Sequence, residues 1–190
     1  MSRNEGMGVR TAFTLLGSIV LALRIVVPPT AWAADFGTAV HATTALRQFP
    51  LEIITPNSAN LGSADPGGSI NAQLGTVTVI DARTIRPTWV ATVSATNFTT
   101  GGGSPAETIA RSNISYWSGP ITSQAGGGSR APGQLTAADR VPLSGSVTAF
   151  SGRRAVIGSQ TTSWRPTFVI TIPASTAQGT YSGTIVHSVT

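Results

Sequence analysis

The chain predicts an all-β fold, a single antiparallel β-sandwich preceded by a signal peptide. Three observations carry this: period-two alternation of apolar and polar residues, clusters of Gly, Pro, Ser and Asn between the alternating runs, and a basic, then apolar, leader. In the leader, Arg3 and Arg10 precede the uncharged stretch 11–23, Pro28 and Pro29 break any helix, and Ala31-Trp32-Ala33 supplies a small-x-small cleavage pattern. Residues 1–33 are therefore expected to be removed by a cut before Ala34. The alternative is a retained anchor. A spanning helix needs about 20 mainly apolar residues, whereas Arg24 interrupts the run and the two prolines close it soon after.

After the cut, residues 34–50 form a short polar lead-in and residues 51–190 form the domain. In order, the alternating runs predict strands over 51–55, 73–80, 88–96, 113–117, 146–150, 167–172 and 180–189. In the third run Trp89, Ala91, Val93 and Ala95 share a face; in the sixth Phe168, Ile170 and Ile172 do; in the last Ile185, His187 and Val189 do. No stretch carries helical periodicity. The glycine triplets at 101–103 and 126–128 predict exposed loops over 99–106 and 123–133, and neither triplet leads into the Lys of a phosphate-binding loop, because the chain has no Lys.

Charged residues make up 10% of the chain, against about 25% in ordinary globular proteins, so Ser, Thr, Asn and Gln must supply most of the polar surface. Taking Arg3, Arg10, Arg24 and Glu5 from twelve arginines and seven acids leaves nine against six, a modest positive charge. Apart from Arg153-Arg154 these arginines are scattered, which argues against nucleic acid as a partner. The absence of Cys excludes disulfides and a cysteine-linked lipid, and no stable membrane insertion is expected after cleavage.

Catalysis and metal binding are both disfavoured. His41 and His187 lie far apart, and Asp35, Glu52, Asp65, Asp81, Glu107 and Asp139 are dispersed without a ligand spacing. A glycosidase pair could converge only through the fold. There is no Gly-x-Ser-x-Gly elbow, no Cys and no Lys nucleophile, so the expectation is no enzyme, no cofactor and no metal. Asp81 and Arg83, two apart at a strand end, are expected to form a local ion pair. The candidate binding residues are tryptophans. Trp89 reads as core or as a recognition residue, while Trp117, before Ser118-Gly119-Pro120, and Trp164, before Arg165-Pro166, could stack on a sugar ring.

The stretch Val77-Thr78-Val79-Ile80-Asp81-Ala82-Arg83, followed after a turn by Trp89-Val90-Ala91-Thr92-Val93, resembles the first half of the WxL cell-surface domain. Ile172-Pro173-Ala174, then Gly179-Thr180-Tyr181 and the strand after it, resembles that family's closing pattern. Ala91 stands at the Leu of the first name-giving motif, and His187 and Val189 stand at the Trp and Leu of the second. The resemblance implies a secreted β-sandwich of Gram-positive bacteria that associates non-covalently with peptidoglycan. The expected function is thus a non-enzymatic protein, extracellular or associated with the cell wall, docking on wall polymer or on other exported proteins. The alternative is a structural or adhesive subunit that self-associates through the edge of its long terminal strand.

Overall fold

Alternation in sequence becomes one-sided burial in the computed structural model, which describes residues 19–27, 51–83, 88–155 and 158–190. The expected cut at Ala34, the lead-in 34–50 and His41 lie outside the described residues. Strands β1 (Ile19–Val27), β2 (Leu51–Ile54), β3 (Ser58–Ser63) and β4 (Ser69–Gln73) open the chain. They are followed by β5 (Val77–Asp81), β6 (Thr88–Ala95), β7 (Phe98–Thr99) and β8 (Thr108–Ile109). Next come β9 (Ile114–Trp117), β10 (Ile121–Ala125), β11 (Gly128–Pro132) and β12 (Val141–Pro142). The last four are β13 (Val147–Arg154), β14 (Gln160–Trp164), β15 (Thr167–Thr171) and β16 (Gly179–Val189). The helical pieces among the described residues are 3-10 turns of three residues, none long and apolar enough to cross a membrane.

One layer is the sheet β11-β13-β6-β16-β1-β3, with β7 joined to β16 and β8 to β7. Facing it are two four-stranded sheets, β10-β14-β5-β2 and β12-β9-β15-β4. These two share an order, because the chain steps straight from β4 to β5, from β9 to β10 and from β14 to β15. They are the halves of one creased layer. Each step holds a strand breaker: Gly75 with φ 101°, Gly119 with φ 72° beside Pro120, and Pro166. Pairing is antiparallel everywhere except between β1 and β3.

The core lies between the layers. From β6, Trp89, Ala91, Val93 and Ala95 all point inward. Phe150 of β13 stacks on Trp164 of β14 with ring centroids 4.8 Å apart, and Tyr116 of β9 meets Phe168 edge-on at 5.3 Å. An all-β sandwich is therefore what this chain forms, as its alternation predicts.

Two expectations change. The run 73–80 is split by the crease into the end of β4 and the start of β5. The stretch 123–133 is not an open loop, since β10 and β11 occupy most of it, one on each layer. Its glycines serve close approach: a Cβ on Gly126 would lie 2.0 Å from the Ser159 carbonyl oxygen, and one on Gly128 2.0 Å from that of Arg153. In the full chain β16 has β6 on one side and β1, from the segment expected to be removed, on the other.

Candidate functional surface

The three sequence-predicted tryptophans part company in the fold. Trp89 is 1% exposed and Trp164 0%, so neither offers a ring face to a ligand. The indole N–H of Trp89 donates to Gln160 Oε1 at 2.7 Å, and that of Trp164 to the Tyr116 hydroxyl at 3.3 Å. Stacking on a sugar is closed to Trp164 because Pro166 turns the chain after the ring has already entered the core. Trp117 alone of the three is half-buried.

Alternation explains the difference. Ile114 and Tyr116 of β9 are fully buried, which sends Ser115 and Trp117 to the opposite, outward face. The ladder then builds two rows on that face. Trp117 stands opposite Thr167, which stands opposite Gln73; Ser115 stands opposite Val169, which stands opposite Asn71. Adjacent strands are about 4.8 Å apart, so each row spans roughly 10 Å. Asn71 and Gln73 are exposed, and Ile70 on the same strand is buried. The Gly119 main chain passes over one side of the ring, where an added Cβ would sit 3.6 Å from Trp117 Cζ3.

None of these side chains ionises in the ordinary pH range. The surface combines an aromatic ring with two exposed amides and the half-buried hydroxyl of Ser115, Thr167 between them being buried, a set that binds by contact and hydrogen bonding rather than by charge. Sequence reasoning identified Trp117 but not Asn71, Gln73 or Ser115. The usable signal was the alternation of Asn71 and Gln73 with Ile70 and Ala72, which the low β-propensity of that run obscured.

The expected ion pair at the end of β5 forms. Arg83 Nε donates to Asp81 Oδ1 at 2.9 Å and Nη2 to Oδ2 at 3.1 Å, while Arg154 Nε lies 3.7 Å from Oδ2. Asp81 is fully buried, so these arginines are its counter-ions. Asp65 belongs to no group of three or more potential metal ligands among the described residues.

His187 is 1% exposed and packs edge-on to Tyr116 with centroids 6.2 Å apart; neither ring nitrogen has a hydrogen-bond partner. Burial lowers its pKa from 6.5 to about 4. The unfolded chain takes up this proton near pH 6.5 and the folded chain only near pH 4, so the contribution is complete above 6.5 and is lost as pH falls toward 4. About 3 kcal/mol should disappear across that window. Urea titrations at several pH values check this, with His187→Leu as the reference: the variant should keep the slope due to carboxylates and lose the rest. Parallel profiles for both proteins would contradict the assignment.

Compared with family models, with curated proteins and with solved structures, the chain matches none.

Proposed function

We propose that this is an exported, non-enzymatic surface protein that docks non-covalently on cell-wall polymer through the outer face of β9, β15 and β4. The observation that carries the reading is that half-buried Trp117 on β9 and the exposed amides of Asn71 and Gln73 on β4 share the outer face of one sheet, with β15 between them. Sugar rings present an apolar face and a hydroxylated rim, which match an indole that shares its face with amides and a hydroxyl. The leader supports export, and the resemblance to the WxL domain supports a wall ligand. Trp89, the tryptophan shared with the first motif of that domain, contributes to the core in this reading.

Sedimentation with purified cell wall tests it. The exported protein should pellet with the wall, and Asn71→Ala combined with Gln73→Ala should reduce retention by about thirtyfold, since each lost hydrogen bond contributes about 1 kcal/mol. Both side chains are exposed, so the melting curve should stay within about 0.5 kcal/mol of the parent. Wild-type protein that stays in the supernatant would sink the proposal. A second measurement addresses export: N-terminal sequencing of protein recovered from the wall or medium should start at Ala34, and an intact Met1 would contradict processing.

A further inference from the structure

We propose that processing leaves a strand-wide slot between β16 and β3, and that residues 36–46 of a second copy fill it, linking copies head to tail. The proposal rests on the export reading, because the strand now in the slot, β1, lies within the segment expected to be removed.

The ladder defines the slot. β1 pairs with β16 over nine residues, from Ile19 opposite His187 to Val27 opposite Gly179. Its other side runs parallel to β3, from Ala22 opposite Ser58 to Val26 opposite Ser63, with one irregularity. Without β1, β16 keeps β6 but loses every partner along its second side, and β3 loses its only ladder among the described residues. The uncovered edge of β16 is eleven residues long and carries no Asp, Glu, Lys or Arg. A long, uncharged edge with unpaired N–H and C=O groups is a template for an added strand.

The register says what that strand must be. Tyr181, Ile185 and His187 face the core from β16, and Ile25, Leu21 and Ile19 are their partners in β1. The replacement must therefore be uncharged at its core-facing positions and alternate apolar residues there. Residues 36–46 satisfy both conditions: no acid or arginine lies between Asp35 and Arg47, and Phe36, Val40, Ala42 and Leu46 recur at even positions. Extended, eleven residues span about 36 Å, enough for a nine-residue ladder of about 30 Å. The cut would also place this stretch at a free N-terminus.

A second copy is the better donor than the chain's own arm. In the full chain residues 28–50, twenty-three in number, connect the end of β1 to β2. Were residues 36–46 to enter their own slot in the same direction, residues 47–50 alone would have to make that connection. Donation between copies removes the constraint. Because donor arm and acceptor slot are different surfaces, the contact is heterologous and grows into chains.

The test uses protein recovered after export, first sequenced from its N-terminus and then followed by sedimentation velocity across a wide concentration range. A chain starting at Ala34 should form multimers that grow with concentration. Val40→Arg should weaken association by about a hundredfold because a charge would enter a buried ladder position. A synthetic peptide of residues 36–46 should break the wild-type multimers. Monomers at every concentration from a chain that starts at Ala34 would overturn the slot proposal and leave the export reading standing. Multimers insensitive to Val40→Arg would overturn the assigned donor, as would a monomer whose melting temperature falls with Val40→Arg, since that result places the arm in its own slot. An intact Met1 would overturn the export reading itself and the vacancy with it.

Discussion

Trp89→Ala should unfold at a temperature roughly ten degrees or more below the parent. The ring is 1% exposed on β6, between β13 and β16. Directly opposite it in the ladder is Gly152, where an added Cβ would lie 2.3 to 2.5 Å from atoms of the indole. The ring thus lies across the β13 backbone, in space that a side chain at position 152 would otherwise take. Truncation leaves that space empty and strips Gln160 Oε1 of its donor. Large-to-small substitution of Trp costs about 3 to 5 kcal/mol, and a kilocalorie shifts melting by about 2 to 4 °C at this chain length. Trp89→Phe, which keeps most of the volume but not the N–H, should cost less than half as much. Gly152→Ala should approach the loss seen for Trp89→Ala, because the ring and an added Cβ cannot both fit. A melting curve unchanged by Trp89→Ala would overturn the assignment of the indole to the core.

How far the fold was legible depended on how strongly each strand alternates. The runs containing Trp89, Ile114, Phe168 and Ile185 bury one face against a large core, so their apolar period is plain in sequence. β14 was unreadable for the opposite reason: it buries Gln160, Thr162 and Ser163, whose polarity is balanced by partners in other strands, namely Trp89, Arg130 and Thr78. β10 and β11 are largely exposed, β3 buries Leu61 alone, and all three are rich in Ser, Ala and Gly, which carry little periodic signal. The tryptophans show a similar limit. Ser118-Gly119-Pro120 and Arg165-Pro166 look alike as turn signals, yet Trp164 ends a strand whose final residue faces inward and Trp117 one whose final residue faces outward. Strand parity decided which ring stayed accessible, and parity follows from where the ladder begins. Nor does a sequence pattern distinguish an apolar leader from an apolar strand, because both need a mainly apolar run; β1 takes the end of the stretch 11–23 and continues past Arg24.

Asp81→Ala should lower stability by about 3 to 5 kcal/mol, the cost of removing one partner of a buried ion pair. Asp81 is 0% exposed at the end of β5, and Arg154 only 5%, with Arg154 Nη1 donating to the Gly158 carbonyl at 2.8 Å. Arg154 Nε has no hydrogen bond, so the 3.7 Å approach to Asp81 acts through charge. Removing the carboxylate leaves this guanidinium desolvated and uncompensated. Arg83 stands differently, with its side chain 15% exposed and able to reach water once Asp81 is gone; Arg83→Ala alone should still cost about 3 kcal/mol, since it strips the buried carboxylate of both side-chain hydrogen bonds. The two arginines therefore predict different rescues. Adding Arg154→Met to Asp81→Ala should recover part of the loss, because a buried pair replaced by apolar groups of similar size is often neutral. Adding Arg83→Ala should recover almost nothing. Urea midpoints for the four variants decide the matter, and a double variant Asp81→Ala with Arg154→Met that is less stable than Asp81→Ala alone would show that Arg154 stabilises the fold through the packing of its stem and its bond to Gly158 more than Asp81 does through its charge.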